Sequence, residues 1–332
     1  MDRVLSDKSK LCVKFFIVGY PSCGESVVVC ICDGDKVLYT CVIDSFKYRM
    51  HNETVCILQR LGVGHVDLLC WSHPDHDHSF DMDSIISGFC DDTTKFLLPQ
   101  GVNGKSFDMV NYNKGDKLIV AKIAAMNEKH KICHNTVCVC PKHRMEVESF
   151  SLVGYTDEVP VNVMALSPAS PTINHRIAKE QAIEKNELCI SLCLEVGAFR
   201  FLLCSDIENP AIANLHAKSL HEPILVKIPH HSSPTAAALL DYATFSPTST
   251  FACTTGYRSM KLPNRKVLEA YGKCCKMVHF TGYAAGHKYG VVEYAFMPYS
   301  FANIGGLGND TICACSTMKV TCHGNALQVY PA

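Results

Sequence analysis

The apolar segment Val66 to Trp71 runs without a break into Ser72-His73-Pro74-Asp75-His76-Asp77-His78. The apolar half reads as a buried strand. The polar half puts five His or Asp residues into the six positions from 73 to 78. A solvated loop could carry the same groups, but not commonly at this density directly after a buried strand. Alternate residues of an extended segment face the same way. His73, Asp75 and Asp77 therefore share a side, and the following turn brings in His78. Imidazole and carboxylate are ligands for zinc, manganese and iron, and ligands this dense suffice for two ions.

Elsewhere the chain repeats one local grammar, an apolar β-rich run that ends on a polar, metal-competent residue. Leu11 to Val18, Val27 to Cys32 and Val37 to Ile43 read as three strands, with Asp33-Gly34-Asp35 as a hairpin turn. The third ends on Asp44. Cys189 to Val196 and Phe199 to Cys204 form a second hairpin, ending on Ser205-Asp206. Ile224 to Ile228 is a strand ending on Pro229-His230-His231. Helices are expected over residues 53–62, 79–89, 211–219 and 264–274. Strands alternating with helices, with polar residues at strand ends, describe an α/β protein whose site lies at those ends.

Composition narrows the function classes. Hydrophobic residues make up 48% of the 332 and charged residues 19%, which excludes a disordered chain. The formal net charge of -1 gives no basic excess for a large non-specific nucleic-acid surface. The 20 cysteines lie largely inside apolar runs such as Val27-Val28-Val29-Cys30-Ile31-Cys32, where they act as small buried hydrophobes. The charged start, MDRVLSDKSKLC, lacks a signal-peptide core. Free thiols in a reducing cytoplasm are expected. No apolar run approaches the roughly 18 residues of a membrane span, so no membrane association is expected.

The run from Ser72 to His78 resembles the H-x-[HD]-x-D-H signature of the metallo-β-lactamase fold. With Asp75 at the second ligand position, it looks most like the metallo-β-lactamase domain of ComEC-type competence proteins. Four further segments follow in that family's order. Phe16-Ile17-Val18-Gly19 with Gly24-Glu25-Ser26 is similar to "DVGQGDS". Leu202-Leu203-Cys204-Ser205-Asp206-Ile207-Glu208 is similar to "LLTGDIE". Lys227-Ile228-Pro229-His230-His231-Ser232-Ser233 is similar to "LKVPHHGS". Pro263 to Tyr271 resembles a helix start written "HPxxEVLxxL". Ile43-Asp44 matches the fold's strand-ending Asp. The resemblance spans roughly residues 12–297.

The resemblance implies an αββα sandwich, two mixed sheets face to face with helices outside. It places that domain at residues 1–300, with 301–332 as a cysteine-containing extension packed on it. It implies two divalent ions, zinc first and manganese as the alternative. His73 and Asp75 would hold the first ion, Asp77 and His78 the second. Asp206 would bridge them. One of His230 and His231 would complete the second site, and the other would meet substrate. Asp77, Asp206 and His231 would carry the catalysis, and Asp44 would orient the motif loop from behind. The implied activity is hydrolysis of a phosphodiester, in a nucleotide or single-stranded nucleic acid, by metal-bound hydroxide. Hydrolysis of a carboxylic ester, lactone or thioester on the same fold is the second reading, and a regulatory module with a degraded site the third. No membrane channel accompanies the domain here, so DNA uptake is not expected.

This sequence departs from the family pattern at three places. Phe80-Asp81 stands where two glycines are usual, which would narrow the pocket. Ser232-Ser233 replaces Gly-Ser, and Leu262 replaces a late His. No residue presents itself as third ligand of the first ion; His130, His134 and His143 qualify by type alone. Two Cys/His groups, residues 130–143 and Cys313, Cys315, Cys322 and His323, are candidates for zinc but are read first as packing. Lys227, Arg258, Lys261, Arg265 and Lys266 are candidates to receive a phosphodiester backbone, and Tyr257, Tyr283, Tyr289 and His287 to stack on a base.

Overall fold

The computed structural model describes residues 3–99, 121, 136–139, 141, 142, 144–154, 158–283, 286–303 and 312–331. Among these, the strands form two mixed sheets. One runs, edge to edge, Ile312–Gly324, Gly290–Asn303, Leu11–Gly19, Glu25–Asp33, Lys36–Ile43, Leu68–Cys70, Lys95–Pro99, Thr136–Val139. The other runs Arg3–Val4, Met145–Val153, Glu158–Ala165, Leu192–Val196, Phe199–Leu203, Leu225–Lys227, Phe251–Thr254, Met277–Phe280, Leu327–Tyr330. Both sheets share a plan. Antiparallel strands come first, and parallel strands follow where the chain crosses over through helices.

Leu11–Gly19 and Glu25–Asp33 are apolar with little alternation because both of their faces are covered, whereas Met145–Val153 alternates. Phe15 and Ile17 point into the core between the sheets, with Val163, Leu194 and Phe201 of the other sheet. The rings of Phe15 and Phe201 meet there at 4.7 Å. Phe16 and Val18, one residue out of phase, face Ile57 and Leu58 of helix Glu53–Arg60 and Ile85 and Ile86 of helix Met82–Phe89. On the far side, Val267, Leu268 and Tyr271 of helix Arg265–Cys274 cover Val226, Ala252 and Val278. The layers are therefore helix, sheet, sheet, helix, the αββα order that the resemblance implies. The cysteines fit this packing. Cys30 and Cys32 lie under the helices, Cys41 and Cys70 between the sheets, and the 15 cysteines whose side chains are described are free thiols.

One expectation is corrected by the backbone. The helix expected over 211–219 is a single turn, Asn209–Ile212, followed by a short 3-10 turn, Ala217–Leu220. The C-terminal stretch supplies edge strands to both sheets, Ile312–Gly324 beside Gly290–Asn303 and Leu327–Tyr330 beside Met277–Phe280. His130, Cys133, His134, Cys140 and His143 lie outside the described residues. No helix among the described residues is long and apolar enough to cross a membrane.

Candidate metal centre

Strand ends from both sheets meet at one edge of the sandwich. Asp44 follows the strand Lys36–Ile43 with a left-handed φ of 60°, and its backbone N–H bonds Cys70 O at 2.9 Å. Its carboxylate is thereby turned under the motif. Oδ1 accepts from the Ser72 backbone N–H at 2.7 Å, and Oδ2 accepts from Ser72 Oγ at 2.6 Å and from His78 Nδ1 at 2.7 Å. The motif then closes into one helical turn, His76–Ser79, capped by Asp75. Trp71 Nε1 donates to Ser79 Oγ at 2.9 Å, which donates to Asp75 O at 2.5 Å. The second sheet contributes Asp206, just beyond Phe199–Leu203, and His231, beyond Leu225–Lys227. His230, His231 and Ser232 all adopt left-handed φ, of 47°, 50° and 61°. That sharp turn aims the two imidazoles in different directions.

His231 enters the cluster. Its Nε2 lies 3.3 Å from Asp206 Oδ2 and 3.4 Å from Asp77 Oδ2. His78 Nε2 lies 3.3 Å from Asp206 Oδ2 and 3.7 Å from Asp77 Oδ2. All four side chains are buried. His230, the other imidazole of the pair, is turned outward. It is about one-fifth exposed, and its Nδ1 engages Glu208 Oε1 at 3.1 Å and Thr235 Oγ1 at 3.2 Å. His73 is fully buried with its ring centroid 4.3 Å from that of His78, and its Nδ1 bonds Ser72 Oγ. Asp75 sits at the surface side of the motif and pairs with Lys185 Nζ at 2.9 Å.

The donor set fits a divalent ion. His73 Nε2, Asp77 Oδ2, His78 Nε2, Asp206 Oδ1 and His231 Nε2 are buried and lack a hydrogen-bond partner. Such orphans are costly unless another group satisfies them. Four ligands set tetrahedrally around zinc at about 2.0–2.1 Å are about 3.3–3.4 Å apart. The His–Asp separations of 3.3, 3.3, 3.4 and 3.7 Å lie at or near that edge length.

Electrostatics hold the carboxylates ionised. Burial raises the Asp77 carboxyl, but the charges of His78 and His231 outweigh it and bring it down to about 2. Asp206 is well below its ordinary value for the same reason, burial being overcome by His231, His78 and Lys227. Burial lowers His231, while Asp206 and Asp77 lift it to about 9, and His78 is raised likewise. His73 is lowered, first by burial and then by the His78 charge, so it is the neutral ring of the group.

Beneath the cluster lies a buried pair that sequence reasoning did not single out for this role. Glu25 Oε1 meets Lys227 Nζ at 2.5 Å, and Lys227 Nζ also bonds Ser205 O at 3.2 Å and lies 3.5 Å from Asp206 Oδ1. Lys227 was expected at the substrate surface, yet it is 1% exposed. Glu25 approaches His78 and His231 at their Nδ1 sides, at 3.9 and 3.4 Å, whereas Asp77 and Asp206 approach the Nε2 sides. His231 Nδ1 bonds Thr255 Oγ1 at 2.9 Å, and Thr255 donates to Glu25 Oε2. Glu25 therefore backs the rings and Asp77 faces the ion position. The signal was present in the turn Gly24-Glu25-Ser26 and in Lys227 two residues before Pro229, but neither residue has a polar neighbour in sequence that reveals the pairing.

Of the other expected residues, Tyr257 stands edge-on to His231 at 5.5 Å, and Arg258 and Lys261 are exposed on the same loop. Arg265 and Lys266 lie on the exposed face of their helix, where Arg265 pairs with Glu269. Phe80 packs against Phe46 and His76 in a surface aromatic group. Leu262 is buried. His323 pairs with Glu293 at 3.1 Å and Cys322 is exposed.

No protein-family profile matches the chain, and no curated protein matches it. Among solved structures, the fold is similar to a protein of Parabacteroides distasonis ATCC 8503 provisionally named a metal-dependent hydrolase. The identity is 11%, over 76% of this chain and 86% of that one, with a TM-score of 0.35. It is also similar to a diphosphatase of the PhnP family, at 11% identity over 76% of this chain and 92% of that one, with a TM-score of 0.34. At these values neither neighbour assigns a chemistry to this chain.

Proposed function

We propose that this chain is a metal-dependent hydrolase that cleaves a phosphodiester in a nucleotide or a single-stranded nucleic acid. The observation that carries the reading is the convergence of the unpartnered, buried atoms Asp77 Oδ2, His78 Nε2 and His231 Nε2 with the buried Asp206 Oδ2 at metal-ligand spacing. Two imidazoles and two carboxylates suit zinc, with manganese as the alternative. Held by these residues, the ion would supply Lewis-acid chemistry, lowering the pKa of water and polarising a phosphoryl oxygen.

The protein's own residues supply position and charge. Asp44 and Thr255 fix the ring orientation of His78 and His231. His230, outside the cluster and held by Glu208, is the imidazole that meets substrate. Arg258 and Lys261, exposed on the loop that carries Tyr257 to the cluster, favour an anionic phosphate over a neutral acyl group. The free thiols accord with a reducing cytoplasm. A panel of bis-p-nitrophenyl phosphate, nucleotides, single- and double-stranded DNA, aryl esters, lactones and thioesters, assayed with zinc and with manganese, tests the reading. Metal-dependent turnover of the phosphodiesters is expected, duplex last. Turnover confined to the acyl substrates would overturn it.

A further inference from the structure

We infer that the centre holds one tightly bound ion, at Asp77, His78, Asp206 and His231, and that the Lys185 ammonium stands beside Asp75 in place of a second. This rests on the metal reading above and deepens it.

Three observations converge. Four His–Asp separations within the set, 3.3, 3.3, 3.4 and 3.7 Å, lie at or near the edge length of one tetrahedral ion. Asp75 Oδ1 accepts from Lys185 Nζ at 2.9 Å and from the His76 backbone N–H at 2.8 Å. Lys185 is held close to the motif. It opens the 3-10 turn Lys185–Leu188, which a reciprocal cap between Glu184 and Glu187 closes, and Ile190 N–H bonds Ser72 O at 2.8 Å just beyond it. Finally, Asp206 is poorly placed to bridge. Its Oδ2 faces the two imidazoles, and its Oδ1 faces the Lys227 ammonium at 3.5 Å, itself locked to Glu25. The Asp75 carboxylate that a second divalent ion would need is already paired with the Lys185 ammonium, and that ammonium would repel the ion.

The test is zinc stoichiometry. Metal-free protein is dialysed against zinc over a range of free concentrations, and bound zinc is measured by elemental analysis. The wild type is expected to take one equivalent tightly. Lys185→Ala and Lys185→Met, the second keeping the hydrocarbon stem in place, are expected to strengthen uptake of a further equivalent by about tenfold or more, as removal of a neighbouring unit charge implies, with the first equivalent unchanged. A wild type that takes two equivalents with equal affinity overturns the inference without any variant. So do two variants that both leave the second equivalent unchanged. A wild type that takes no zinc overturns the metal reading itself.

Discussion

His78 donates its Nδ1 hydrogen to Asp44 Oδ2 across 2.7 Å, and that bond decides which nitrogen of the ring faces the centre. With Nδ1 committed, Nε2 is the nitrogen aimed at Asp77 and Asp206, and it offers a lone pair to an ion once its proton is displaced. Asp44 also holds the Ser72 backbone, so one carboxylate fixes both the start of the motif loop and its last ligand. Asp44→Asn keeps the shape but places an amide N–H or a single oxygen where two oxygens accept three hydrogens. Zinc affinity should fall by about 10- to 100-fold, the usual effect of losing a partner behind a ligand. Dialysis against zinc measures this. Unchanged affinity would remove Asp44 from the centre.

The adjacent imidazoles of His230 and His231 have opposite surroundings and should respond differently. His231→Ala removes a ligand and should lose both zinc and activity. His230→Ala should keep zinc and lower turnover. Bound zinc and kcat, measured on the same preparations, separate the two roles. Loss of zinc in His230→Ala would put that ring back among the ligands.

Glu25 and Lys227 form an ion pair that is almost wholly buried. Removing one partner strands the other, at a cost of about 3–5 kcal/mol, while removing both is far milder. Glu25→Gln and Lys227→Met should each be strongly destabilised in urea unfolding. The double variant should recover a large part of the loss. Additive losses would mean that the two side chains act independently.

Protonation sets the stability of the metal-free protein. Asp77, at about 2 when folded against 3.8 when unfolded, contributes stability above 3.8 that is lost as the pH falls toward 2. His231, at about 9 against 6.5, contributes stability below 6.5 that is lost as the pH rises through 9. The unfolding temperature of chelator-treated protein should therefore be highest between pH 3.8 and 6.5. Zinc must displace the protons of His78 and His231, so its stabilising effect should grow with pH. A metal-free midpoint that climbs from pH 6.5 to 9 would contradict the charged network.

Much of this was legible in the sequence because it is local. Phe15 to Val18 is apolar at every position since both faces of that strand are covered, and the run at Ser72–His78 is dense enough to mark a site unaided. The layer order also followed from the resemblance. Contacts that join distant strands were harder. Lys227 carries a charge, and nothing near it in sequence shows that Glu25 lies 2.5 Å away, so it was placed at the surface. His230 and His231 are indistinguishable as text. The left-handed turn through Ser232, at a position where glycine would be unstrained, sends one inward and one outward. The Asp75–Lys185 pair is set by the 3-10 turn at 185–188, which has no strong sequence signature.

The most direct test of the centre is X-ray absorption at the zinc edge, on protein loaded with one equivalent. The 20 cysteines compete for zinc with the His and Asp cluster, and the two kinds of site differ in ligand atom. Zinc held by Asp77, His78, Asp206 and His231 gives a shell of nitrogen and oxygen alone at about 2.0–2.2 Å, with outer-shell scattering from two imidazoles. Sulfur at about 2.3 Å would place the ion at cysteines and contradict the centre described here.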